Sequence, residues 1–151
     1  MAVAGLLAVA AIAVAKSATV GVGTASVHGH KESVAVNAKG VTIYELGPET
    51  SRHLVCKSQS CFAAWPPVKA KGALTKMAGV TGKLGTIKRD GFTQVTLNGH
   101  PLYTFEGDHN QAGIANGNGI VAFGGTWHVV VAGSAKAAKA PVGGGGGGGG
   151  W

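Results

Sequence analysis

The sequence predicts a small, mainly β protein: a single domain of two related β-hairpin halves, with one short helical turn near Cys61–Trp65. Three observations indicate this: short segments of alternating apolar and polar residues, turn-forming dipeptides between them, and aromatic residues that recur at a similar spacing in the two halves. The 151 residues are 45% hydrophobic and only 13% charged. A chain of this size and composition has room for one modest core.

Alternating segments locate the strands. Residues 33–46 alternate on both sides of a turn at Asn37–Gly40, which predicts a first hairpin. Residues 92–105 alternate around Asn98-Gly99, a favoured two-residue hairpin turn, and give the clearest hairpin in the chain. Residues 127–131, rich in valine, predict a closing buried strand.

Two further segments complete the predicted elements. Gly79–Arg89 is expected to add a pairing segment around Ile87. Cys61–Trp65 can form one helical turn, which Pro66-Pro67 would end because proline lacks the amide hydrogen.

The ends of the chain differ in composition from its middle. Met1–Ala15 is uninterrupted apolar or small and has the length of the hydrophobic part of a secretory signal, although no Lys or Arg precedes it. We therefore predict, in order, a signal-peptide-like segment (1–15), a flexible lead-in (16–32), a two-repeat β domain (33–133, repeats about 34–68 and 92–133) and a disordered Gly-rich tail (134–151).

Cys56 and Cys61 are the two cysteines of the chain. In an oxidising exterior a close pair of this kind predicts a disulfide, whereas a zinc site would need four ligands. Neither cysteine directly follows the apolar run, where a lipoprotein would carry its lipid. We therefore expect a secreted or envelope-associated protein without a lipid anchor, and no stable membrane span after processing.

The net charge is +7, with a sequence pI near 9.7, and the basic residues are scattered. Nucleic-acid binding is disfavoured, because such proteins concentrate basic charge and interleave aromatics, which are only 6% here. Anionic cell-wall polymers or other envelope components are the partners that this charge favours, and general solubility is the alternative. The oligomeric state stays open.

The two halves have similar sequence patterns. Gly-Val-Thr-Ile-Tyr-Glu-Leu from Gly40 aligns with Gly-His-Pro-Leu-Tyr-Thr-Phe from Gly99. In each half a tyrosine on a strand is followed five positions later by an acid, and then by a tryptophan: Tyr44, Glu49 and Trp65; Tyr103, Asp108 and Trp127.

These motifs resemble a known family. The segments IYELGPETSRHLVCKSQSCFAAWPPV and LNGHPLYTFEGDHNQAGIANGNGIVAFGGTWHVVVAG resemble the two repeats of a bacterial "secreted repeat of unknown function" family, predicted lipoproteins with tandem Tyr-x4-Asp motifs. The resemblance implies export and no agreed biochemical activity. The chain departs from the family at Glu49, which replaces an aspartate, at Pro48, and in lacking a lipid-carrying cysteine.

The six repeated residues are interpreted as structural. We expect the tyrosines and tryptophans to fill two half-cores, with their hydroxyls or indole N–H groups bonded to loop backbone or to the acids. A hydrogen bond from tyrosine to acid would pin each loop onto its strand.

A metal site is the alternative for the loop that follows Asp108. Asp108, His109 and Asn110 begin a Gly-rich loop with oxygen-bearing side chains, which a cation such as calcium could use, but Asx turns explain the same residues without an ion. His28 and His30, with His100 and His109, suggest a transition metal.

Catalytic motifs do not stand out: the sequence has neither Gly-x-Ser-x-Gly nor His-Glu-x-x-His. The prediction is therefore an exported, non-enzymatic β-rich module, without a resident cofactor, that binds a cell-envelope component or a protein partner. The alternative is an extracytoplasmic metal or redox-cofactor carrier.

Overall fold

A computed structural model describes residues 18–132, so the predicted leader (1–15) and tail (134–151) lie outside the described residues. The mainly β prediction is confirmed, as is the single short helix. The strands are β1 (Gly21–Val27), β2 (His30–Val36), β3 (Tyr44–Leu46), β4 (Leu84–Arg89), β5 (Phe92–Leu97), β6 (His100–Pro101), β7 (Val121–Ala122) and β8 (Gly125–Val129). Helix α1 is Gln59–Ala64, and a 3-10 turn covers Glu106–Asp108.

The strands form three small antiparallel sheets. β1 pairs with β2, β3 with β8 and β8 with β7, and β5 lies between β4 and β6. The predicted hairpin at Asn98-Gly99 forms, with both residues at positive φ (52° and 76°), as a two-residue turn of this type requires. The segment around Ile87 pairs with β5 as expected.

The predicted flexible lead-in is wrong for its described part. Gly21–Val27 is a full strand, paired with β2 from Gly21↔Val36 to Val27↔His30. Its glycines misled the prediction, because Gly23 is there for close packing: a Cβ at this position would lie 2.7 Å from a methyl of Val36. Order therefore begins well before Glu32.

The first predicted hairpin forms at its turn and just beyond it, where Val36 pairs with Thr42 and the amide of Ile43 donates to the carbonyl of Ala35 at 2.9 Å. The Oδ1 of Asn37 accepts the amides of Lys39 and Val41, which closes the turn. Beyond it, β3 leaves β2 and pairs with β8, with Tyr44 opposite Val129.

The structural repeat is longer than the sequence repeat. The β1–β2 hairpin and the β4–β5 hairpin occupy equivalent places, each joined by a two-residue turn, His28-Gly29 and Asp90-Gly91. Each half therefore begins with a hairpin, near residue 20 and near residue 84, rather than at 34 and 92 as predicted.

The two halves interlock. Tyr44 pairs with Val129, two residues after Trp127, while Tyr103 pairs with Pro67, two residues after Trp65. The two tyrosines are also antiparallel neighbours that exchange both backbone hydrogen bonds, at 2.8 and 3.0 Å. Each tyrosine strand is thus held by the strand that ends the other half.

The aromatic core is one stack shared by both halves, not two half-cores. The rings of Trp65 and Trp127 lie parallel, with centroids 3.9 Å apart and an interplanar angle of 3°. Tyr44 meets Trp65 edge-on at 5.4 Å, and Tyr103 meets Trp127 edge-on at 5.1 Å. A second, aliphatic cluster includes Ile43, Val95 and Leu102. Ile43 and Leu102 directly precede the two tyrosines, so their side chains point to the opposite face.

The tryptophan stack predicts a spectroscopic signal. Two indoles this close couple their electronic transitions, so the circular dichroism spectrum should show an exciton couplet. Trp65→Phe or Trp127→Phe should abolish it, whereas Trp151→Phe should leave it intact. A couplet that survives either of the first two substitutions would contradict the stack.

Candidate functional site

The structure brings all six repeated residues together in the interior. Each is at most 1% exposed, including both carboxylates: Tyr44, Glu49, Trp65, Tyr103, Asp108 and Trp127. Buried carboxylates need hydrogen-bond donors, because removing a charge from water is costly. The donors come from both halves of the molecule.

The tyrosine hydroxyls bond to acids, but crosswise. Tyr44 donates to Oδ2 of Asp108 at 2.6 Å, and Tyr103 donates to Oε2 of Glu49 at 2.7 Å. The expectation that each bond would pin a loop to its own strand is therefore wrong. The chain turns sharply after β3, where the amide of Glu49 donates to the carbonyl of Leu46, so each acid is carried to the tyrosine of the other half.

Asp108 closes its own loop. Its Oδ1 accepts the amide of Asn116 at 2.9 Å, while Oδ2 takes the Tyr44 hydroxyl. Burial raises the pKa of Asp108 above its usual value, and these two hydrogen bonds oppose part of that rise. The same loop brings Gly117 against the aromatic stack, where a Cβ would lie 2.8 Å from Trp65.

Glu49 lies in a denser network. Its Oε1 accepts the amides of Val55 and Cys56, at 2.9 and 3.0 Å, and lies 3.5 Å from the guanidinium of Arg89. The predicted disulfide between Cys56 and Cys61 is confirmed, and this network anchors its first half-cystine.

Arg89 is the residue that sequence reasoning missed. Its side chain is only 5% exposed, and it donates to Tyr103 Oη (2.8 Å), Gln94 Oε1 (2.7 Å) and the Cys56 carbonyl (3.2 Å). Two features of the sequence could have pointed to it. Arg89 ends a predicted strand beside a turn, and it is one of only two arginines in the chain.

The predicted metal ligands are not brought together. Asp108 is buried and bonded to protein donors, whereas His109 and Asn110 are exposed in left-handed backbone, with φ of 50° and 54°. Within residues 18–132, no group of three His, Cys, Asp or Glu side chains is placed to hold a metal ion. Two of the other histidines have different neighbours: His28 contacts Asn118, and His100 contacts the Glu49 carbonyl.

A basic groove lies outside this buried network. It has a volume of about 370 Å³, and its twelve lining residues include three exposed lysines, Lys39, Lys69 and Lys71, and no acid. We call it the lysine groove. A second, more polar groove of about 450 Å³ includes His28, Asn116 and Asn118. In the part of the chain that is described, no helix is long and apolar enough to cross a membrane.

Double-mutant cycles can test the crosswise pairing. Tyr44→Phe with Asp108→Asn, and Tyr103→Phe with Glu49→Gln, should each show a coupling in the free energy of unfolding of about 1–3 kcal/mol. Tyr44 with Glu49, and Tyr103 with Asp108, are matched controls that should couple by no more than a few tenths of a kcal/mol. Pairing within each half would give the opposite result.

Alkaline pH should unfold the protein. Burial raises the pKa of Tyr44 and of Tyr103 above 10, and the neighbouring carboxylates add to the rise. Their stabilising contribution is complete below pH 10 and is lost as pH rises through the folded-state values. The free energy of unfolding should fall by about 2.7 kcal/mol per pH unit above pH 10, measured by denaturant unfolding. Tyr103→Phe should halve this slope, and an unchanged slope would show that Tyr103 titrates normally.

Comparison with known proteins finds a match for the second half. Residues 85–131 match a family model described as a secreted repeat of unknown function. No curated protein and no solved structure matches the chain. The match runs from β4 to just past β8 and includes Tyr103, Asp108 and Trp127. Its description supports an extracellular location, and residues 85–131 are thus similar to an exported module of unknown activity.

Proposed function

We propose that this protein is an exported, non-enzymatic module that binds an anionic polymer of the cell envelope in the lysine groove. The observation that carries the proposal is the groove itself, which three lysines line and no carboxylate does. Phosphate and carboxylate groups are the ligands that such a site attracts.

Backbone hydrogen bonds hold the segment that carries Lys69. The amide of Ala70 donates to the carbonyl of Thr93, and that of Val68 to the carbonyl of Leu102, at 2.9 and 2.8 Å. Residues 68–71 are therefore held as an extended segment, in which alternate side chains share one face. This places Lys69 and Lys71 on the same side.

Both halves contribute to the groove. Lys39 comes from the turn after β2, while Thr104 and Asn110 come from the second half. The amide of Thr104 donates to the carbonyl of Pro66 at 2.9 Å, which joins the two halves at the groove. A ligand bound here would contact both halves at once.

We also propose that the first half is a diverged copy of the family repeat that residues 85–131 match. The equivalent hairpins, the Tyr-x4-acid spacing and the Tyr–Trp contacts in both halves support this. Envelope association and a cleaved leader at residues 1–15 belong to the same proposal.

The buried acids support a non-enzymatic role. Glu49 and Asp108 are fully buried and bonded to donors of the protein itself, and neither lines the two grooves described above. A general acid or base has to reach its substrate. Both carboxylates hold a loop against a tyrosine of the other half.

Binding to poly(glycerol phosphate), an anionic envelope polymer, tests the groove. The triple variant Lys39→Ala, Lys69→Ala, Lys71→Ala should lose affinity roughly a hundredfold in calorimetry, given about 1 kcal/mol for each lysine near an anionic surface. The matched control is Lys31→Ala, Lys57→Ala, Lys83→Ala, which removes the same charge from exposed lysines elsewhere.

The control should keep its affinity to within about threefold at physiological salt, where distant charges are screened. An equal loss in both triple variants would show binding by net charge alone, and would overturn the groove as the site. Failure of the unaltered protein to bind the polymer would overturn the proposed ligand class.

A further inference from the structure

We propose that the aromatic stack is a one-electron relay: an oxidising equivalent received by Trp65 or Trp127 passes to Tyr44, whose hydroxyl proton moves to Asp108. The proposal is independent of the lysine groove. It rests on ring contacts and on which rings have a base within hydrogen-bonding distance.

The rings form a continuous path. Trp65 and Trp127 are stacked with centroids 3.9 Å apart, and Phe105 stacks on Trp65 at 4.3 Å toward the surface. Tyr44 and Tyr103 touch the two ends of the indole pair edge-on. Indole and phenol are the most readily oxidised aromatic side chains, and electrons cross contacts of this length directly.

Tyr44 has a strong base beside its proton, and Trp127 does not. An oxidised phenol is a strong acid, so a tyrosine gives up an electron easily only if its proton can leave with it. The hydroxyl of Tyr44 is 2.6 Å from a carboxylate oxygen of Asp108. The indole N–H of Trp127 instead faces the carbonyl of Ala122 at 3.1 Å, and a carbonyl is a far weaker base.

The electrostatic surroundings favour Tyr44 over Tyr103 as the tyrosine that gives up an electron and a proton. The partner of Tyr103, Glu49, is the counter-charge of Arg89, which is only 5% exposed. A proton moved to Glu49 would leave that guanidinium buried and unpaired, which is costly. Asp108 has no such cation in its hydrogen bonds: its second oxygen accepts a neutral backbone amide. Burial, which raises the pKa of Asp108, points the same way.

The step balances in charge and atoms. A one-electron oxidant of the organic peroxyl-radical class takes an electron from the indole pair and leaves a radical cation. An electron from Tyr44 then reduces the indole radical cation. The phenolic O–H bond breaks, and an O–H bond forms on Asp108. One positive and one negative charge disappear, leaving a neutral tyrosyl radical and a neutral carboxylic acid. A phenolic or thiol reductant returns the electron, and Asp108 returns the proton.

Flash oxidation of the purified protein tests the relay. The oxidant is a photo-oxidised ruthenium polypyridyl complex with a cobalt(III) ammine as electron acceptor, followed by transient absorption and electron paramagnetic resonance. Because Tyr44 and Tyr103 are the chain's two tyrosines, a tyrosyl signal has two possible origins. We expect a tryptophan radical that converts to a tyrosyl radical in the unaltered protein and in Tyr103→Phe.

Tyr44→Phe should lose the tyrosyl signal and keep a longer-lived tryptophan radical. Asp108→Asn should slow the conversion at least tenfold, and circular dichroism checks that each variant is folded. A tryptophan radical that never converts in the unaltered protein overturns the relay. A tyrosyl radical that persists in Tyr44→Phe assigns the end point to Tyr103 and overturns it as well. The comparison of the unaltered protein with Tyr44→Phe decides the question even if Asp108→Asn does not fold.

Discussion

The hydrogen bonds from Tyr44 to Asp108 and from Tyr103 to Glu49 are the constraint on which the rest of the structure depends. A carboxylate can be buried in a core this small only if strong donors meet it, and here the phenols of the opposite half are among the donors. Each bond fixes a loop and an aromatic ring at the same time. The tryptophan stack, the loop at Gly117 and the disulfide loop all contact the residues that these two bonds join.

The two bonds are alike in geometry but differ in electrostatics. Glu49 shares its charge with Arg89, so the first-half acid belongs to an ion pair that also holds Gln94 and the Cys56 carbonyl. Asp108 relies on neutral donors alone. The same tyrosine–acid contact therefore lies in two different electrostatic environments within one core.

Local patterns predicted what depends on neighbours in sequence. The turn at Asn98-Gly99, the Cys56–Cys61 bridge, the helix before Pro66 and the mainly β class all follow from a few adjacent residues. The site residues could be named from their spacing, but not their partners, since crosswise and within-half pairing have the same spacing. Tyr44 and Asp108 are 64 residues apart. Strand β1 was hidden by its small residues, and the lysine groove joins segments that are distant in the chain.

Because the halves exchange partners, neither half is complete by itself. One unit alone would have a phenol without its acid and an acid without its phenol, both in the interior. A unit of this geometry is therefore complete only when it is paired with a second one, as the two halves of this chain are. The stretch 85–131 that the family model recognises is, in this sense, half of a closed pair, and its missing complement is the first half of the same polypeptide.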